Sequence, residues 1–336
     1  MAQRWKHRPE GSNWGDFGDD DQAGSLNYIT PESVRRAVGE VCAGLSFCLS
    51  LPLDYPGGNG LVPHRFPPRL EPTDRKGQPY FNFSFHQLHA DYCDAGCDDL
   101  VTLWTQYSTQ WDGFAHIGAH FDLDGTGEAP LCFYNGFRAG EHIRPPDQRD
   151  GLAMPLGIDR FAEKAIQTRG VLVDLDRHLG RAKQTIGFST LKAIMDADGV
   201  TVNARDILCL HTGYADELLK MGGSPDAARL HDMCAALDGA DQALTNWLSE
   251  SRLAALAADN FAVERIEYDA PPRCPLLLPL HHHCLFKRGI PLGELWHLTE
   301  LARWLHDNQR SAFLLTAPPL RLPGAIGSPV TPVATV

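Results

Sequence analysis

The sequence predicts one mixed α/β domain with long irregular connections. Three observations carry that prediction. Short apolar runs bounded by turn residues, at 171–175 and 207–210, read as buried strands. Helical periodicities are interspersed with them, without the steady strand–helix–strand cadence of a doubly wound sheet. Proline and glycine crowd the stretches Leu51–Gly77 and Pro318–Pro332, which are expected to be loops. At 336 residues the chain is long enough for about two domains of ~150 residues or one large one. With no internal repeat and no linker between ordered halves, the expectation is one unit over 1–336, its segment 1–28 forming an extended arm.

In chain order, Gly11–Gln22 is rich in Gly, Asn and Asp and is expected to be exposed. Thr30 as N-cap and Pro31 at the first position start a helix whose apolar face is Val34, Ala37, Val38 and Val41, with Gly44 closing it. Phe81–Phe85 alternates like a half-buried strand. Further helices are predicted over 190–196, 242–251 and 299–305, with a late strand at Phe313–Leu315. The run Pro275–Leu280 reads as a buried strand.

Composition excludes several classes of function. Thirty Lys+Arg against 42 Asp+Glu leave a formal net charge of −12, a poor match for nucleic acid or an anionic membrane surface. No apolar run reaches the roughly 20 residues of a membrane-spanning helix, and residues 1–10 lack a secretory core. The expected location is the cytoplasm. Nine cysteines are neither even in number nor dense enough for a disulfide scaffold. His86, His89, Cys93 and Cys97 are zinc-type ligands at loose spacing, and an irregular loop is the expectation there.

Fifteen histidines direct attention to clusters of them. The stretch from His116 to Asp122 contains H-x3-H-x-D. A helix would throw Asp122 about 120° off the face shared by His116 and His120. A strand places His116, Gly118, His120 and Asp122 on one side, with Gly118 leaving room for an ion. Two His and a carboxylate are a common catalytic ligand set with an open position. A second cluster, His281-His282-His283, precedes a Gly/Pro-rich turn that leads to Glu294, and spacing leaves open which histidine points inward.

Together these motifs resemble the metal-dependent cyclase family of hydrolases, which includes kynurenine formamidase, isatin hydrolase and trans-dienelactone hydrolase. The family pattern H-x-G-T-H-x-D appears as H-x-G-A-H-x-D from His116 to Asp122. A His twelve residues before a Glu in a Gly-Ile-Pro turn is met by His282 and Glu294. Segment 20–32, Arg169–Asp174 and the run from Asp206 to Gly213 fit as well, so the resemblance spans most of the chain. It implies a swivelling β/β/α fold and a divalent ion, Zn²⁺ or Mn²⁺, on His116, His120, Asp122, His282 and Glu294. It also implies a homo-oligomer, dimer or tetramer. Thr126 stands where shorter members carry a catalytic His four residues after the Asp, so His282, Glu294, Tyr134 or a flanking histidine become the candidates for proton transfer, His282 and Glu294 acting as base and acid if only one ion binds.

The expected activity is hydrolysis of a C–N or C–O acyl bond in a cyclic amide or imide, a lactone or an aryl formamide. Trp111, Phe133 and Tyr134 are candidate aromatic walls for a ring-shaped substrate. Two rival readings stand beside it. His120, Asp122 and His282 match the two-His, one-carboxylate triad of a non-haem Fe(II) oxygenase. The other is a metal-binding or scaffold protein without chemistry.

Overall fold

The computed structural model describes residues 3–267 and 274–336. Its centre is a nine-stranded mixed sheet. In chain order the strands are β1 (Ser46–Cys48), β2 (Gln110–Asp112), β3 (Gln167–Asp174), β4 (Ile207–His211), β5 (Ala255–Ala258), β6 (Leu292–Glu294), β7 (Ala312–Thr316), β8 (Gly327–Pro329) and β9 (Val333–Thr335). Their spatial order is β1-β9-β7-β3-β4-β5-β6-β2-β8. Strands β3 to β6 are mutually parallel, and antiparallel strands extend the sheet on both sides. β4 and β5 are buried at every position, as expected of parallel strands covered on both faces.

Five helices of seven or more residues surround the sheet: α1 (Pro31–Val38), α2 (Phe188–Ala197), α3 (Tyr214–Lys220), α4 (Gln242–Ser251) and α5 (Thr299–Asp307). The α1 start is a full capping box. Thr30 Oγ1 accepts from Ser33 N, and Ser33 Oγ accepts from Thr30 N. That helix ends at Gly39, five residues short of Gly44, and packs on β3 and β7. Among the described residues no helix is long and apolar enough to cross a membrane.

Several expectations change in the folded chain. The Gly11–Gln22 segment is not a free arm. Trp14 is fully buried, its Nε1 donating to Phe286 O at 2.7 Å and its ring edge-on to Phe286. The strand expected at 81–85 shrinks to Phe83–Ser84, because Asn82 takes a left-handed φ of 54° that breaks the extended alternation. His86 and His89 lie in an exposed loop, and all nine cysteines are free.

The run Pro275–Leu280 does not form a strand. Pro279 begins a helical turn, Pro279–His281, that passes directly into a π-helical turn, His282–Lys287. A proline favours that role because it needs no hydrogen-bond donor at a helix start.

Candidate metal centre

The site forms where the parallel and antiparallel parts of the sheet meet. β6 is the last parallel strand, and β2 pairs with it antiparallel, Gln110 opposite Glu294 and Asp112 opposite Leu292. Side chains two apart on a strand share a face, so Gln110, Asp112 and Glu294 converge. Trp111 points the other way, into the core. It is fully buried, T-shaped against Trp296, and its Nε1 donates to Ala317 O at 2.8 Å. Gly293 makes that packing possible, since a Cβ there would stand 2.8 Å from Trp296 Nε1.

Asp112 is completely buried, an expensive place for a carboxylate. Its Oδ1 accepts from the side-chain amides of Gln106 and Gln110. Its Oδ2 has no hydrogen-bond partner. His116 follows one short turn later, and His281 enters from the turn opposite. Asp112, His116 and His281 each present a ligand atom within 4.8 Å of the others, the only such triple of His, Cys, Asp or Glu among the described residues. This donor set, two imidazoles and a buried carboxylate with an unsatisfied oxygen, fits a divalent cation.

Glu264 orients His281. Its carboxylate accepts from Leu280 N at 2.8 Å and His281 N at 2.9 Å, which also caps the helical turn. The same carboxylate takes His281 Nδ1 at 2.7 Å. That leaves Nε2 facing Glu294 Oε1 at 3.2 Å and Asp112 Oδ2 at 3.9 Å. A carboxylate behind a histidine is the arrangement that fixes a ligating tautomer in metal sites.

Electrostatics follow from this packing. Burial works against a charged His281, yet Glu264 and Glu294 overcome it and raise the imidazole to about 10. The two ring nitrogens bridge Glu264 and Glu294. His116 is pushed the other way, first by burial and then by His281 and Arg65, so it stays neutral and available as a ligand. Burial raises Asp112, with Glu294 adding to it.

The sequence-derived candidates distribute unevenly over this geometry. His116 belongs to the triple, and Glu294 lies beside it, 3.2 Å from His281 Nε2. His120, Asp122 and His282 do not join any such triple. The strand expected across 116–122 is only Ala119–His120, preceded by a turn. His120 is exposed, its Nδ1 at 3.0 Å from Ala129 O. Asp122 folds its own loop, accepting from Gly127 N at 2.7 Å and Thr126 N at 3.1 Å, bonds that lower its pKa. Gly118 leaves no space for an ion, because a Cβ there would meet Cys132 O at 2.5 Å and the Phe133 ring at 2.9 Å. His282 stacks near Phe286, 4.9 Å between ring centroids, and burial lowers it to about 4. Tyr134 is buried, its hydroxyl donating to Asp21 at 3.2 Å, and Phe133 packs on the core beside Gly118.

Asp112, His281, Glu264, Gln106 and Gln110 escaped the sequence reading. A signal for them existed. Thr109-Gln110-Trp111-Asp112 repeats the T-H-x-D of the family pattern with Gln for His, and Gln106 falls at its first histidine. His116 then lies four residues after the Asp, the spacing that Thr126 fails to fill after Asp122.

A cavity of about 290 Å³ adjoins the cluster. Leu61, Tyr214, Leu230 and Phe261 give it apolar walls, and Glu264 is shared between its lining and the site.

A family model described as "Putative cyclase" matches residues 48–265. The chain belongs to the cyclase family. Among solved structures, the chain is similar to one described as a novel cyclase, at 30% identity and TM-score 0.76, with 97% of each chain covered. It shares its fold with isatin hydrolase A from Ralstonia solanacearum, at 16% identity and TM-score 0.54, covering 89% of this chain and 93% of that one. Isatin hydrolase A from Labrenzia aggregata gives 11% identity and TM-score 0.57, covering 90% and 99%. No curated protein matches the chain.

Proposed function

We propose that this protein is a metal-dependent hydrolase that opens a C–N or C–O acyl bond in a small cyclic amide or imide, lactone or aryl formamide. One observation carries the reading: three convergent ligand atoms within 4.8 Å, one of them from a fully buried carboxylate with an unpartnered oxygen. Family membership and a fold shared with isatin hydrolases support the hydrolytic direction.

Asp112, His116 and His281 are the ligands in this reading. A divalent cation bound there, Zn²⁺ or Mn²⁺, supplies an activated water and polarises the acyl oxygen. Glu264 keeps a hydrogen bond on His281 Nδ1 and so directs Nε2 to the centre. Glu294 Oε1, 3.2 Å from that Nε2, is placed to receive the proton of the attacking water and return it to the leaving group. The adjoining cavity, with its apolar walls, houses the substrate's apolar part. We also propose a homo-oligomer. The ribbon of Arg69–Pro72 paired with Asp99–Thr102 sets Leu70 opposite Val101, both exposed on one face, an apolar pair that a second copy would cover.

The test is a hydrolysis screen over lactones, imides and formanilides using metal-stripped protein. Zn²⁺, Mn²⁺ and Fe²⁺ are added back separately, with oxygen uptake followed in parallel. Metal-restored hydrolysis that Asp112→Asn abolishes is the expected result. Stoichiometric metal with no hydrolysis, or oxygen consumption with Fe²⁺, overturns it. Light scattering in solution reads the oligomeric state, and a monomer at micromolar concentration refutes that part.

A further inference from the structure

Gln110 carries more chemistry than a strand position needs. It is 1% exposed. Its Nε2 donates to Asp112 Oδ1 at 3.2 Å and to Glu294 Oε2 at 3.3 Å. Carboxylates only accept, so the amide nitrogen, not its oxygen, must face them. One neutral group thus bridges two buried acids, a task a lysine or arginine would perform by adding charge.

Both amide hydrogens are spent on that bridge, and Gln110 Oε1 is left buried without a donor. Asp112 Oδ2, on the same face of β2, is in the same condition. Buried acceptors in native proteins find partners, and these two lie on one face of β2 beside the proposed ligands. The charge already present is negative, so the occupant suited to Asp112 Oδ2 is a cation.

We propose that Gln110 sets the metal preference of the centre. Its bridge holds the Asp112 carboxylate in place beside His116 and His281, and it adds a buried amide oxygen to the same face, so the surroundings of the ion are rich in oxygen. Oxygen donors suit Mn²⁺, whereas an added imidazole suits Zn²⁺. The inference rests on the metal centre proposed above and adds a determinant of which ion that centre takes.

The experiment is calorimetric titration of metal-stripped wild type, Gln110→His and Gln110→Ala with MnCl₂ and ZnCl₂, with Mn²⁺ spin resonance as a second reading of the bound ion. Circular dichroism and melting of the metal-free proteins check the fold, and Gln110→Asn replaces any variant that fails that check. Gln110→His is expected to shift the zinc-to-manganese affinity ratio at least tenfold toward zinc. Gln110→Ala is expected to weaken Mn²⁺ binding about 10–100-fold, the usual loss for a residue supporting metal ligands. Folded variants whose affinities for both ions stay within twofold of wild type overturn this proposal and leave the metal centre standing. Wild type that binds neither ion overturns both.

Discussion

Replacing Glu264 by alanine tests how the centre is held together. The carboxylate is fully buried and accepts three hydrogen bonds, from Leu280 N, His281 N and His281 Nδ1, at 2.7–2.9 Å. Its removal strands two backbone donors and leaves the His281 cation with Glu294 alone. Breaking a buried pair by deleting one partner costs about 3–5 kcal/mol. A chain of this length unfolds with an entropy of about 0.7 kcal/mol per degree, so Tm should fall by about 4–7 °C in the metal-free protein. The assay is differential scanning calorimetry of metal-free and metal-loaded Glu264→Ala and wild type. The variant should also gain less from added metal, since His281 Nε2 is no longer aimed. A Tm change under 1 °C, with an unaltered metal-induced increment, would refute the reasoning.

Four further outcomes follow from the same geometry. His281 is raised to about 10 in the metal-free site, above its ordinary unfolded value near 6.5. Its stabilising charge is fully present below about pH 6.5 and disappears as pH rises through about 10, so metal-free protein should lose melting temperature across that window. Because metal binding must expel that proton, apparent metal affinity should rise about tenfold per pH unit between pH 7 and 9; a flat profile in titration calorimetry contradicts this. His120→Ala should keep its metal and its fold while Asp112→Asn loses metal, as read by elemental analysis; the reverse pattern would move the centre to the 116–122 loop. Trp111→Ala should cost about 3–5 kcal/mol in denaturant unfolding through loss of its contact with Trp296 and the bond to Ala317, and a cost below 1 kcal/mol would show that the back of β2 is loosely packed.

Much of the scaffold was legible because its signals are local. Thr30 and Pro31 mark the start of α1, and the predicted helix at 242–251 coincides with α4 residue for residue. Strands β3 and β4 announce themselves as apolar runs between turn residues. The N-terminal segment misled because its composition is that of a loop, while one indole, Trp14, anchors it in the core. The site was half legible. His116 and Glu294 were singled out by spacing, but β2 is three residues long and polar at two of them, so neither hydrophobic periodicity nor length marked it as a central strand. Its polar pair sits there because Glu294 and His281 wait on the far side.

The family, the mixed α/β class and the presence of an acid–histidine site are written in spacing, which survives without any knowledge of neighbours. The choice of residues is not. H-x3-H-x-D at 116–122 is the better match to a ligand pattern by residue type, yet its loop spends Asp122 on backbone amides and leaves His120 in solvent. Asp112 becomes the buried acid because pairing of β2 with β6 carries it under the sheet's edge-to-centre junction, and His281 becomes its partner because Glu264 seizes one ring nitrogen. Burial and convergence are properties of packing between segments more than 150 residues apart, as the 184-residue separation of Gln110 and Glu294 illustrates. No local pattern encodes them.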